Sequence, residues 1–88
     1  MKVIIAGSHN FNNYNKLCKV CNEILKNHQE IEIVSGTASG ADKLGEQYAN
    51  ERGYKITQFP ADWNKYGKSA GPKRNQQMAN YANALIAF

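Results

Sequence analysis

Residues 2–8 read KVIIAGS. The apolar run is unbroken and stops at a glycine and a serine, so it reads as a β-strand buried on both faces. A strand of that kind belongs to a parallel sheet with helices on either side. Residues 14–27, YNKLCKVCNEILKN, change to helical spacing, with Asn12 or Asn13 placed to cap and Leu17, Val20, Cys21, Ile24 and Leu25 forming an inner face. Residues 30–36, EIEIVSG, alternate and then turn apolar before a second Ser-Gly, which is a second strand.

The rest of the chain repeats this rhythm. A helix over Ala41–Arg52 starts at Ser39-Gly40-Ala41-Asp42, read as a capping box, and stops at Gly53. YKITQFP over 54–60 is a third strand closed by Pro60. Gly71-Pro72 marks the start of another helix with Met78, Tyr81 and Ala82 on its inner face, and ALIAF over 84–88 is a fourth strand. Strands alternating with helices imply βαβ units with right-handed crossovers. The expected architecture is α/β, a three-layer Rossmann-like fold with about four mostly parallel strands and three helices.

The 88 residues make one domain, residues 1–88. A chain of this size buries only roughly 60 to 65 % of its unfolded surface, so self-association into a homo-oligomer is an expectation. No apolar run approaches the roughly 20 residues of a membrane span, and the N-terminus lacks a signal-peptide core, so the compartment is expected to be cytoplasmic and no membrane partner is anticipated. Cys18 and Cys21 form a lone CxxC with only His9 and His28 as further metal ligands, and they read as small core residues on a helix, with no metal and no cofactor. The net charge of +4 fits nucleic acid, nucleotides or another phosphorylated ligand.

That charge is concentrated. Lys65, Lys68, Lys73 and Arg74 lie between Pro60 and Met78 together with Trp63, the single tryptophan. In open parallel sheets ligands collect outside the carboxyl ends of the strands, and three segments belong to that edge: GSHNFNN at 7–13, SGTASGAD at 35–42 and the stretch from Trp63 to Arg74. Gly36 and Gly40 permit close backbone approach, and the amides opening the second helix suit phosphate. Ser8 and Asn10 fit phosphate contacts. Arg74 is placed in the first turn of a helix, where a cation opposes the macrodipole, so an anion gripped by Arg74 and the amides near Gly71 is expected to compensate. Trp63 and Tyr66 form either a stacking wall or a plug for the end of the sheet, and Asp62 either binds a ribose hydroxyl or caps the WNKY turn. No Ser-His-Asp order, HExxH or spaced carboxylate pair is present, so no catalytic residue is assigned.

The segments AGS (6–8) with Phe11, IVSG (33–36) with Ala38 and GAD (40–42), YA (48–49) with ERG (51–53), the block from Phe59 to Met78 and ALIAF (84–88) resemble the YspA-type, cpYpsA-related branch of the SLOG superfamily. The resemblance covers essentially the whole chain. It implies a Rossmann-like domain that binds a nucleotide or nucleotide-derived, ADP-ribose-like ligand and senses or sequesters a nucleotide signal. Arg74 resembles the arginine that in LOG-type phosphoribohydrolases contacts the ribose-phosphate region, while Asn75 stands where they carry lysine. Relatives continue beyond the position of Phe88 with a Gly-rich phosphate loop and a glutamate, so by this resemblance the domain is truncated at its C-terminus. His9 and Thr37 stand where the family usually has arginine and glycine. The expected ligand-binding set is Gly7, Ser8, Gly36, Gly40, Asp42, Asp62, Trp63, Tyr66, Gly71, Arg74 and Asn75. The alternatives are a phosphoribohydrolase-like N-glycosidase, for which Asp42 and Asp62 are the carboxylates in the right loops, and a single-stranded nucleic-acid binder.

Overall fold

The computed structural model describes residues 1–88. Four strands, β1 (Lys2–Ala6), β2 (Glu32–Ser35), β3 (Lys55–Gln58) and β4 (Ala84–Ala87), form one sheet in the order β3-β2-β1-β4. All pairings are parallel, with Val3 opposite Ile33, Ile4 opposite Leu85 and Ser35 opposite Gln58. Helices α1 (Tyr14–Leu25), α2 (Ala41–Arg52) and α4 (Ala70–Tyr81) connect the strands, and the one-turn α3 (Trp63–Tyr66) with a 3-10 turn (Gly67–Ser69) precedes α4.

Topology decides the layers. The steps from β1 to β2 and from β2 to β3 run in one direction, so right-handed crossovers put α1 and α2 on one face. The return to β4 reverses direction and puts α4 on the other. The two faces bury different side chains, as alternation along a strand requires. Val3, Ile5, Ile33 and Ile86 pack with Leu17, Cys21, Leu25, Tyr48 and Ala49 on the α1/α2 face, and Ile4 and Val34 pack with Met78 on the α4 face.

Several expectations need correction. Ile24 is 48 % exposed, because α1 turns the row Leu17, Cys21 and Leu25 to the sheet and leaves Ile24 on its flank. Asn13 does cap α1, its Oδ1 accepting from the Lys16 amide at 3.0 Å. No capping box opens α2. Gly40 is its N-cap at φ 78° with no side-chain cap bond, and the Asp42 carboxylate accepts instead from the Ala38 amide at 3.2 Å. β3 is shorter than the stretch 54–60. Helix α4 starts at Ala70, which places Pro72 inside the first turn, where its missing amide costs nothing, and moves Arg74 beyond it. No adverse helix dipole therefore acts on Arg74. Cys18 and Cys21 are free thiols on α1, Cys21 in the core. No helix is long and apolar enough to cross a membrane.

Candidate functional site

The direction of connection reverses between β1 and β4, and the carboxyl ends of the strands carry the loops there. The first loop leaves β1 at Gly7. The Ser8 amide donates to the Phe88 carbonyl at 3.1 Å, and the Ser8 carbonyl accepts from the Ala41 amide at 3.3 Å. A Cβ on Gly7 would collide with the Phe88 carbonyl, and one on Gly40 would collide with the Ser8 and His9 backbone. Gly7, Ser8 and Gly40 thus come together, and the close approach that their glycines permit is made by protein backbone. One of the amides opening α2 is spent on the first loop.

The second loop leaves β2 at Ser35. Its hydroxyl donates to Glu46 Oε2 at 2.6 Å and accepts from the Thr37 amide at 3.1 Å, and this turn holds Thr37 at φ 66°. Left-handed backbone is the conformation glycine adopts without strain, so the threonine here carries a strain that glycine would not. Gly36 faces two side chains. A Cβ there would lie 2.8 Å from both Arg74 Nη1 and Asp42 Oδ2. Arg74 Nη1 donates to the Gly36 carbonyl, and its Nε donates to Asn75 Oδ1 at 2.8 Å. Burial pushes the Asp42 carboxyl above its ordinary value, and the Ala38 amide and the Arg74 guanidinium pull it partly back.

The third segment builds a cavity of its own. Asp62 Oδ1 accepts from the Lys65 amide at 3.0 Å, so Asp62 caps α3. Trp63 does not plug the sheet. It is 59 % exposed, and its ring edge lies over the start of α4, where a Cβ on Gly71 would be 3.5 Å away. Between α3 and α4 lies a cavity of about 200 Å³ lined by Pro60, Asp62, Lys65, Tyr66, Lys73 and Arg74, with Ala70 and Gln77 completing it. The ammonium groups of Lys65 and Lys73 lie 5.1 and 4.9 Å from the Tyr66 ring centroid. The salt bridges of the molecule are Lys26 with Glu23, Lys43 with Glu46 and Lys55 with Glu32, so none of the three cavity cations is paired.

Of the residues expected at the site, Asp62, Tyr66 and Arg74 line the cavity; Gly36, Asp42 and Asn75 surround the Arg74 head group; Gly7, Ser8 and Gly40 form a separate backbone cluster; Trp63 and Gly71 meet each other and are not part of the cavity lining. Lys65, Lys73 and Gln77 were not in that set. Lys73 and Gln77 are four apart on α4 and share a face with that spacing, which was the available signal.

The model of the YspA, cpYpsA-related SLOG family matches residues 1–66. The chain is similar to the Gene 61 protein of Mycobacterium phage D29, at 29 % identity over 94 residues, spanning 99 % of this chain and 75 % of that protein. No solved structure matches it.

Proposed function

Since the chain belongs to the YspA, cpYpsA-related SLOG family, we propose that it binds a nucleotide or nucleotide-derived, ADP-ribose-like ligand at the carboxyl edge of the sheet. One observation carries the reading. Three cations that form no salt bridge, Lys65, Lys73 and Arg74, wall a single cavity beside the β2 loop. Arg74 is held in place by the Gly36 carbonyl and Asn75, which prepays the ordering of a long side chain and leaves its remaining N–H donors for an anion. Sensing or sequestration of a nucleotide signal then follows from family analogy alone.

Thermal shifts against mononucleotides, NAD, ADP-ribose and cyclic nucleotides test this, with chromatography of each mixture for products. A ligand at about 100 times its Kd stabilises by about 2.7 kcal/mol, a shift of roughly 10–20 °C in a domain of this size. The expected result is a shift with one class of nucleotide that Arg74→Ala abolishes, measured from that variant's own baseline. No shift with any nucleotide overturns the reading. Released base would instead establish the N-glycosidase, and oligonucleotide affinity falling steeply with salt would establish the nucleic-acid binder.

A further inference from the structure

We infer that the cavity between α3 and α4 is a subsite for a terminal phosphate monoester, clasped by the ammonium groups of Lys65 and Lys73 against the fixed guanidinium of Arg74. The inference rests on the nucleotide-binding reading and names the chemical group that the site takes. Size comes first. At about 200 Å³ the cavity is smaller than the roughly 300–1,000 Å³ of pockets that enclose a whole ligand, so it receives one end of a molecule. Its lining sets the charge of that end. The only carboxylate is Asp62, and one of its oxygens already accepts the Lys65 amide.

The cations differ in their freedom. Arg74 has two protein acceptors, whereas Lys65 and Lys73 make no salt bridge and are steadied only by the Tyr66 ring. Two ammonium groups that line one cavity repel each other, and their contacts with the Tyr66 ring offset only part of that repulsion. A dianion in the cavity that both line offsets that repulsion. Each ammonium brings three donors to a point charge, which suits a phosphate monoester with three terminal oxygens and about two charges better than a diester with one. The Tyr66 ring, in contact with both ammonium groups, supports the clasp.

The test titrates the full chain and its Lys65→Gln, Lys73→Gln and Lys68→Gln variants with adenosine 5′-monophosphate, its 5′-methyl ester and adenosine. Inorganic phosphate is followed separately by phosphorus NMR line broadening. Lys68 lies in the 3-10 turn outside the cavity lining and serves as the charge control. The expected result is a loss of about tenfold in monophosphate affinity for each cavity lysine, about 1.4 kcal/mol, and no change for Lys68→Gln. The methyl ester should bind the parent about tenfold more weakly than the monophosphate. Monophosphate binding that ignores both lysines and the ester overturns the clasp and leaves the nucleotide reading intact. Lysine-dependent broadening of inorganic phosphate without any nucleotide affinity supports the clasp and counts against that reading. Silence of every probe overturns both.

Discussion

At Gly40 the backbone takes φ 78°, and the place of a Cβ is occupied by the Ser8 carbonyl; at Gly53 φ is 74° and the same place is open. The pair separates two costs. Gly53→Ala carries only the left-handed penalty of about 1 kcal/mol, while Gly40→Ala adds a backbone collision and should lose about 3 kcal/mol in urea unfolding. Thr37 is the converse case. Relief of its left-handed strain by Thr37→Gly outweighs the entropy of an added glycine, and a net gain of about 0.5–1 kcal/mol is expected in the same assay. Cys21 is fully buried and its thiol is pushed up to about 11, chiefly by burial, so it stays protonated at pH 8. Iodoacetamide should therefore label Cys18 alone in the native protein and both thiols in urea, and equal labelling of the two in the native protein would remove Cys21 from the core. The identity of these residues was legible from spacing. The left-handed turn at Thr37 was not, because the Ser35 hydroxyl that accepts from the Thr37 amide is itself held by donating to Glu46 on α2.

Glu32 ties three elements together at the end of the sheet away from the site. It opens β2 and accepts hydroxyl bonds from Tyr81 at the end of α4 and, at 2.7 Å, from Thr57 on β3, with Lys55 Nζ at 3.6 Å. The Tyr81 and Thr57 hydroxyls hold its carboxyl below the usual carboxylate range. A depressed folded value means that this group stabilises the fold fully above the unfolded carboxylate value of about 4.3, and that the contribution is lost as pH falls through the lower folded one. Tyr81→Phe should cost about 1 kcal/mol at pH 7, and the gap to the parent should close as the pH is lowered through that range in urea unfolding. A gap unchanged at low pH would show that the effect is packing alone. Sequence reasoning placed Tyr81 on the inner face of its helix from the spacing to Met78. It gave no sign of Glu32, since an acid at the start of an alternating strand looks like a solvated position and becomes a partner only when α4 crosses over it.

Across the whole molecule the two faces of the sheet are unequally covered. Two helices bury Ile86 on one side, while α4 alone covers the other and leaves Leu85 60 % exposed. Ile86→Ala should cost about 3 kcal/mol and Leu85→Ala under about 0.5 kcal/mol in urea unfolding, although both lie in the same strand; equal costs would place a cover over Leu85. The sequence by itself determined the element order, the parallel sheet, the two-sided burial of β1 and the cationic character of the segment after β3. Each of these rests on local periodicity, composition and the hand of the crossover, which need no knowledge of distant contacts. Only the tertiary structure decided which cations share a cavity. Arg74 meets Gly36 across 38 positions of chain, Lys65 and Lys73 converge because the turn at Gly67–Ser69 folds α3 onto α4, and the space before Gly7 and Gly40 is filled by backbone from other segments. These are long-range packing outcomes, set by how helices settle on a twisted sheet, and no spacing along the chain encodes them.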